Sequence, residues 1–308
     1  MKIALLVVAL SLTVCCSLSA NILVMLPLPT FSHFNGYAPI FKELARKGHN
    51  VTVVSPYPLK TPMANYTDIV IPDLYDTIMA GFNNLGNKDI RKITGVIFKL
   101  FGFHLMCPAF LDPILALPEL QRFINEDKSH FDLIMTETIF CSQAFHALGH
   151  KYNAHVIALQ PVGMTLPMAE YTGNPLPITY TLHYGIQADS NSLWDQPLST
   201  LYYLADYLGW HLYFKAGMEK YIRDYFKYPG SENVPPLDDL LSNTSFVLLD
   251  NHIALSFPAP YLPNVALIGG MSIKEAAPLP QDLEKFMKES KDGVVFFSWG
   301  SHYKSTNM

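Results

Sequence analysis

Charged residues are scarce in this chain, and no run of basic residues occurs along it. Of its 308 residues, 15% are charged and 50% are hydrophobic, and 21 Lys and Arg against 26 Asp and Glu give a net charge of -5. A nucleic-acid-binding surface needs clustered Lys and Arg, so this class of partner is excluded. The length and hydrophobic share indicate a globular protein with one large core or two smaller ones.

Cysteine is also scarce. The sequence has four cysteines, of which Cys15 and Cys16 lie in an apolar leader, so the mature chain keeps Cys107 and Cys141. A disulfide scaffold holds a small fold together with several bridges. Two cysteines exclude that class of protein.

Long apolar runs are missing after the leader, since Lys99 and His104 interrupt the most apolar later stretch, ITGVIFKLFGFHLMCPAFL. The leader itself, MKIALLVVALSLTVCCSLSA, joins one lysine to a short apolar run and then to small residues. This pattern predicts a cleaved secretory signal peptide over residues 1–20. An uncleaved membrane anchor is the alternative, but the run is shorter than the ~20 residues that span a bilayer.

Three acceptor sequons for N-glycosylation fit a chain that enters the lumen of the endoplasmic reticulum. They begin at Asn50, Asn65 and Asn243. Such tripeptides also arise by chance, so the sequence predicts glycosylation of at least one of them.

Signatures of three common enzyme classes are missing. The turn after the first apolar segment, PTFSHFNG, holds the single glycine Gly36, so the G-x-G-x-x-G of a dinucleotide site is absent. No G-x-S-x-G of a serine hydrolase occurs. His146 and His150 have the spacing of metal ligands, but HALGH lacks the glutamate of H-E-x-x-H and an evident third ligand. We therefore expect no metal site.

Short apolar segments alternate with helical patterns, which is typical of a doubly wound α/β fold with a parallel sheet. The predicted strands are 21–27, 50–56, 67–72, 131–137, 154–159 and 245–251. The first predicted helix carries an apolar stripe of Tyr37, Ile40, Phe41, Leu44 and Ala45, and Gly48 ends it. A second helix, between the fourth and fifth strands, buries Cys141, Ala144, Phe145 and Leu148. A long insertion at 73–130 predicts further helices over the sheet.

Aromatic residues are concentrated in residues 194–228, which predict one or two helices. These side chains either pack in the core or line a pocket for a lipophilic ligand, and the sequence leaves both open. The segment LPQDLEKFMKES predicts a polar helix, and GVVFFSWGS predicts a new apolar strand that ends in a Gly-Ser turn.

His33 is the main candidate for chemistry. It follows the first strand in a Pro-rich turn, just before the first helix, and Glu137 ends the fourth strand at the same edge of the sheet. Ligands of doubly wound sheets bind at that edge, where the carboxylate would orient the imidazole and stabilise its protonated form. Asp132 lies at the opposite end of its strand. A solvated histidine with an unrelated glutamate is the alternative that the spacing leaves open.

Several segments together resemble, in order and spacing, the amino-terminal half of UDP-glycosyltransferases of the animal UDP-glucuronosyltransferase family, arthropod members most of all. The segments are FSHFNGYAPIFKELARKGHNVTVVSP, FDLIMTETIFCSQAF, SFVLLDNHIALSFPAPYLPNVALIGGMSI and DGVVFFSWGSHYKS. The resemblance implies a GT-B fold of two Rossmann-like domains. Residues 21–278 would form the acceptor domain, and 279–308 would begin a UDP-sugar domain that is truncated.

The resemblance also implies residue roles. His33 matches the catalytic base, and Glu137 stands where many members have its partner aspartate. Gly300 and Ser301 match the turn that meets the donor diphosphate, although Trp299 beside them departs from the usual leucine. The implied reaction moves glucose or glucuronic acid from a UDP-sugar to a small lipophilic hydroxyl with inversion, and needs no metal or other cofactor.

Relatives of this kind are anchored in the endoplasmic reticulum membrane by a helix beyond Met308, and the resemblance leaves homo-oligomers open. The donor signature also lies beyond Met308, so we expect these 308 residues alone to be inactive. A binding-only or regulatory protein for small lipophiles, without catalysis, is the alternative function.

Overall fold

The computed structural model describes residues 19–85, 107–183, 193–256 and 258–298. Within these residues, seven parallel strands form one sheet in the order β3-β2-β1-β4-β5-β6-β7. The strands are β1 (Asn21–Met25), β2 (Asn50–Ser55), β3 (Tyr66–Val70), β4 (Leu133–Glu137), β5 (His155–Gln160), β6 (Thr244–Leu249) and β7 (Val265–Leu267). The order 3-2-1-4-5-6 is that of a Rossmann-type sheet. The predicted doubly wound α/β fold is therefore confirmed, and each predicted strand up to 251 exists within a few residues of its expected bounds.

Both faces of the sheet are buried, as parallel sheets require. Along β1, Leu23 and Met25 belong to one hydrophobic cluster, while Ile22 and Val24 belong to another on the opposite face. Because successive side chains of a strand point to opposite faces, a continuous apolar run suits a strand covered on both sides. The apolar segments of the sequence have this pattern for that reason.

Helix α1 (Phe31–Arg46) covers one face of the sheet. Its buried side chains are Phe34, Tyr37, Ala38, Phe41 and Ala45, while the predicted Ile40 and Leu44 are partly buried against the same cluster. Gly48 ends the helix with φ +94°, as predicted. The amide of Gly48 donates to the carbonyl of Ala45, and that of His49 to Leu44, which is a Schellman motif.

The start of α1 corrects one prediction. The helix begins at Phe31, so His33 lies in its first turn and not in a loop before it. Proline is well tolerated in turns, and the prolines before His33 therefore suggested a turn. The helix itself, however, also contains a proline, Pro39. The apolar stripe begins at Phe34, one turn earlier than the sequence suggested, and its burial extends the helix to include His33.

Helices on the opposite face come from the predicted insertion and from the segment after β4. In its described residues, 73–85 and 107–130, the insertion forms α2 (Tyr75–Leu85), α3 (Cys107–Leu115) and α4 (Pro118–Glu126). After β4, a 3-10 turn (Ser142–His146) leads into α5 (Ala147–Tyr152). The predicted inner face of the segment between β4 and β5, which includes Cys141 and Phe145, is buried.

The aromatic segment forms α7 (Asp195–Gly209), a π-helical turn (Trp210–Phe214) and α8 (Lys215–Tyr225) in succession, after the short helix α6 (Leu166–Tyr171). The helical prediction is confirmed. The buried aromatic side chains of this segment are Tyr202, Tyr203, Trp210, Phe214, Phe226 and Tyr228, whereas Trp194, Tyr207 and Tyr213 are exposed. Core packing therefore accounts for the first group. The helix α9 (Leu237–Ser242) precedes β6.

The last described residues do not pack in the core. The predicted polar helix exists as α10 (Gln281–Glu289) and has no buried residue. The predicted strand after it is wrong over 293–298, where Val295 and Phe296 are 94% and 89% exposed. A strand exists only where a neighbouring backbone pairs with it, and no described strand pairs here. The domain boundary at 278 stays a prediction.

Two further predictions concern segments without a described structure. The signal peptide (1–20) lies almost wholly outside the described residues, as do Gly300 and Ser301. None of the described helices is both long and apolar enough to cross a membrane.

Candidate functional site

The candidate site lies where the strand order reverses. Strands β1 and β4 are neighbours, and from them the chain continues outward in opposite directions, to β2 and β3 on one side and to β5, β6 and β7 on the other. In open α/β sheets this reversal leaves a crevice at the carboxyl ends of the two central strands, where ligands bind. His33 follows β1, and Glu137 is the last residue of β4, so both belong to this crevice.

His33 and Glu137 are in direct contact. The Nδ1 atom of His33 lies 2.9 Å from Oε1 of Glu137. The histidine side chain is 15% exposed and that of the glutamate is 2% exposed. Because a carboxylate only accepts hydrogen bonds, Nδ1 carries the proton and Nε2 is left with a free lone pair. The predicted pair is thus formed, with the imidazole held in the tautomer that a general base needs.

The carboxyl end of β4 is fixed by a buried polar network. The hydroxyl of Thr138, the residue after Glu137, donates to the side-chain oxygen of Gln160 at the end of β5. The amide nitrogen of Gln143 donates to the carbonyl of Thr138 at 2.5 Å. Buried polar groups that satisfy one another in this way hold a single geometry. The backbone that carries Glu137 is therefore fixed from two sides.

Phe140 stacks on the imidazole of His33, with ring centroids 5.4 Å apart and planes inclined by 21°. Both Phe140 and the next residue, Cys141, have positive φ, at 48° and 68°. This conformation costs a side-chain-bearing residue on the order of 1–2 kcal/mol, and such strain persists where the surrounding structure enforces it. The strained turn places an aromatic wall beside the candidate base.

A disulfide bond holds this turn. Cys141 is bonded to Cys107, the first residue of α3, with Cα atoms 5.5 Å apart. Phe110 on the same helix also contacts the ring of Phe140, at 5.7 Å between centroids. Two cysteines exclude a disulfide scaffold, and no motif in the sequence predicted that these two are bonded to each other. Cys107 and Cys141 are the only two cysteines in the sequence after the leader, and this was the signal that could have predicted their bond.

Asp250 is a site residue that the sequence analysis missed. It directly follows β6, so it lies at the same edge of the sheet as Glu137, and its amide donates to the carbonyl of Gln160 at 2.9 Å. Its Oδ2 atom is 3.0 Å from the position that a Cβ on Gly36 would occupy. Burial raises the pKa of Asp250 above its usual value, and the charge of His33 partly offsets this. Its place at the carboxyl end of a predicted strand was the signal that could have revealed it.

Tyr37 lies one turn after His33 on α1 and is fully buried. Burial, and then the negative charges of Glu137 and Asp250, raise its pKa far above the usual range. The phenol is thus neutral at every physiological pH. Among the described residues, no group makes a hydrogen bond to its hydroxyl.

The two histidines with metal-ligand spacing do not act together. His146 is buried, and neither ring nitrogen has a hydrogen-bond partner within the described residues. Its pKa falls to about 4 because burial disfavours the charged form. His150 instead contacts the hydroxyl of Tyr228 through Nδ1 at 2.9 Å. The described part of the chain holds no cluster of three or more His, Cys, Asp or Glu that fits a metal ion.

The amino-terminal edge of the sheet carries different residues. Asp132 lies there, where it accepts the amide hydrogen of Asn21 at 2.8 Å, so the pKa of Asp132 is lowered. Asn50 begins β2, Asn65 precedes β3 and Asn243 precedes β6, and all three are exposed. The three sequons therefore lie at the edge opposite His33.

Comparisons with known proteins agree on one family. A sequence model of the family described as UDP-glucoronosyl and UDP-glucosyl transferase matches residues 123–307. UDP-glycosyltransferase UGT4 of Dactylopius coccus is 31% identical over 289 residues, which cover 92% of this chain and 55% of the relative. UDP-glucosyltransferase 2 of the same species is 28% identical, and the aligned residues cover 100% of this chain and 58% of that relative. UDP-glucuronosyltransferase 2B28 of Homo sapiens is 24% identical, and the aligned residues cover 88% of this chain and 53% of that relative. The chain spans about half the length of the curated relatives it matches.

Proposed function

The chain belongs to the UDP-glucuronosyl and UDP-glucosyl transferase family, since the family's sequence model matches more than half of it, and we propose that it is the acceptor-binding half of a hexosyltransferase. The enzyme would move glucose or glucuronic acid from a UDP-sugar to the hydroxyl of a small lipophilic acceptor. In this proposal, residues 21–278 form the first domain of a GT-B enzyme, and 279–308 begin the domain that holds the UDP-sugar, where Gly300 and Ser301 meet the diphosphate.

The contact between His33 and Glu137, at the point where the strand order of the sheet reverses, is the observation that carries the proposal. The Nδ1–H of His33 donates to Oε1 of Glu137, with 2.9 Å between the two heavy atoms, so the lone pair on Nε2 accepts the proton of the acceptor hydroxyl. The acceptor oxygen then bonds to the anomeric carbon from the face opposite UDP. The bond between that carbon and the diphosphate oxygen breaks, its electrons leave with UDP, and the configuration inverts.

The buried charge of Glu137 favours this step because it stabilises the imidazolium that forms as the proton is transferred. A positioned general base contributes typically ~10²–10⁴-fold to the rate. A single displacement transfers no electrons to or from a cofactor, so we propose the UDP-sugar as the only co-substrate.

We also propose that the protein folds in the lumen of the endoplasmic reticulum. Disulfides form and persist in oxidising compartments, and Cys107 is bonded to Cys141. The exposed asparagines of the three sequons are accessible to glycosylation. Membrane anchoring and assembly would depend on the rest of the enzyme.

The proposal can be tested with a chimera that continues this chain beyond Met308 with the carboxyl-terminal half of the Dactylopius UGT4 relative. The chimera and the 308-residue chain are each incubated with a phenol and with UDP-glucose or UDP-glucuronic acid, and the glycoside is measured by mass spectrometry. We expect product from the chimera and none from the chain alone, because the donor must be held beside the acceptor for the reaction to occur.

The relative's own donor half, without this chain, is the control. A chimera that binds phenols but transfers no sugar, while the intact relative is active in the same assay, would favour the binding-only alternative. Phenol binding is followed by the thermal shift of the chain. Product from the 308 residues alone would contradict the division of acceptor and donor sites between two domains.

A further inference from the structure

A second carboxylate lies beside the candidate base and is not used by the proposed mechanism. His33, Gly36 and Tyr37 lie at i, i+3 and i+4 on α1, which places them on one face of the helix. Asp250 meets this face, with Oδ2 3.0 Å from the position of a Cβ on Gly36. Glycine at position 36 thus leaves the space that the Asp250 carboxylate occupies.

The carboxylate of Asp250 has unused hydrogen-bonding capacity. Its backbone amide donates to Gln160, but within the described residues the side-chain oxygens have no hydrogen-bond or ion-pair partner. Glu137 differs, since its Oε1 atom is paired with His33. An ionised carboxylate offers about four lone-pair sites to donors, so Asp250 is free to bind a donor on a ligand.

We propose that Asp250 determines acceptor specificity by accepting a hydrogen bond from a second donor group next to the hydroxyl that His33 activates. The inference rests on the proposed function and names the substrate class of the same site. The favoured acceptors are aromatic diols of the catechol type, in which one hydroxyl faces Nε2 of His33 and the other faces Asp250.

The electrostatics of the site favour a neutral or cationic donor and disfavour an anion. Glu137 and Asp250 are both acidic, and the pKa of Asp250 is lowered by His33 only to the extent that the imidazole carries a charge. Partial burial strengthens a hydrogen bond to the Asp250 carboxylate relative to water. A hydrogen bond to a charged group is worth roughly a tenfold to hundredfold change in affinity. An acceptor with a carboxylate beside its hydroxyl meets like charge instead.

Three ligands separate these effects. Catechol has a second donor, 2-methoxyphenol keeps the oxygen but has no second donor, and salicylate replaces the donor with a negative charge. Dissociation constants are measured by calorimetry on the full 308-residue chain at neutral pH. We expect catechol to bind roughly tenfold or more tightly than 2-methoxyphenol, and salicylate to bind most weakly.

The Asp250→Asn variant should change the affinities for catechol and for salicylate in opposite directions. We expect catechol to lose at least about fivefold in affinity, because a neutral acceptor forms a bond about half as strong, while salicylate gains affinity because the repulsion is removed. Asp224→Asn is the matched control, since Asp224 is an exposed residue of α8 that pairs with Lys220 on the same helix. This control should leave all three affinities unchanged.

Gly36→Ala gives a second test that keeps the charge. The new methyl group would lie 3.0 Å from Oδ2, so the carboxylate must move, while alanine inside a helix is more favourable than glycine. We expect this variant to fold as well as the wild type and to lose most of the preference for catechol over 2-methoxyphenol.

The outcomes separate this inference from the function on which it rests. If all three ligands weaken equally in Asp250→Asn, the residue is merely structural and the inference is overturned. If the ratio of catechol to 2-methoxyphenol affinity does not change, the inference is also overturned, but the acceptor site stands. If none of the phenols binds the wild-type chain, the acceptor site fails and both are overturned.

Discussion

The carboxylate of Glu137 contacts the imidazole of His33 at 2.9 Å, although 104 residues separate them in the chain. One residue ends β4 and the other follows β1, and the pairing of these two strands brings them together. The contact depends on β4 lying beside β1, because the strand order reverses between these two strands and their carboxyl ends meet at one edge of the sheet.

Replacing His33 with alanine in the chimeric enzyme should lower kcat/KM by about 10²–10⁴-fold, because the base that removes the acceptor proton is lost. Glu137→Ala should also lower it severely, since the imidazole loses its orientation and its counter-charge. The double variant should be hardly slower than His33→Ala, because the two residues share one task. Initial rates of phenol glycosylation measure all three, and the exposed His130→Ala is the control. A His33 variant with most of its activity would contradict the assignment.

Asp250→Asn should stabilise the fold at neutral pH. Burial raises the pKa of Asp250, so the folded state holds the proton more tightly than the unfolded state, and ionisation destabilises the fold. This penalty is complete above the folded-state pKa and disappears as the pH falls below the unfolded value. We expect the Asn variant to have the higher Tm at pH 7.5, with the difference narrowing toward pH 4. Equal Tm values across this range would show that the carboxylate is not desolvated.

His146 should make the fold sensitive to mild acid. Burial lowers its pKa to about 4, so its stabilising contribution is complete above the unfolded value of about 6.5 and is lost as the pH falls from there toward 4. Over this range the free energy of unfolding should fall by on the order of 3 kcal/mol, at 1.36 kcal/mol for each pKa unit. Urea unfolding at several pH values measures it. His146→Leu should unfold with a flatter dependence on pH, and an unchanged slope would place the acid sensitivity elsewhere.

The Cys107→Ser, Cys141→Ser double variant should be less stable than the wild type. The bond closes a segment between residues 34 positions apart, for which the loss of chain entropy corresponds to about 4 kcal/mol. Denaturant unfolding of the two proteins without reductant gives the difference. A reducing agent should lower the free energy of unfolding of the wild type to that of the double variant. It should leave the stability of the variant unchanged. If reductant has no effect on the wild type, the cysteines are not bonded in solution.

Glycans should lie away from the acceptor site. Asn50, Asn65 and Asn243 are exposed at the amino-terminal edge of the sheet, opposite His33. Protein secreted from insect cells should lose mass on endoglycosidase treatment, and its affinity for phenols should stay the same. Single Asn→Gln variants identify the occupied sequons by mass spectrometry. No change in mass for the wild type would contradict passage through the endoplasmic reticulum.

The sequence was sufficient for the sheet because its evidence is local. Strands covered on both faces appear as continuous apolar segments, such as Asn21–Met25, and the turn at Gly48 shows where α1 ends. Short parallel strands that alternate with helices admit few topologies. His33 and Glu137 could therefore be placed at the same edge of the sheet from their positions at the ends of two predicted strands, while the spacing left their contact open.

The sequence failed where structure depends on distant partners. The strand expected from Gly293 needed a neighbouring backbone, which no described strand supplies. The start of α1 was placed too late, because the burial of Phe34 against the sheet is a tertiary contact. Local propensity contains no information on either contact.

By itself, the sequence determined the parallel α/β sheet and the edge at which the site lies, because apolar periodicity and strand ends are local properties. The tertiary structure alone decided that Phe140 stacks on His33, that Cys107 bonds to Cys141, and that Asp250 approaches Gly36. Each of these contacts joins residues far apart in the chain, and their geometry is set by how the helices pack on the sheet. Side-chain distances of a few Å follow from that packing and from no pattern along the sequence.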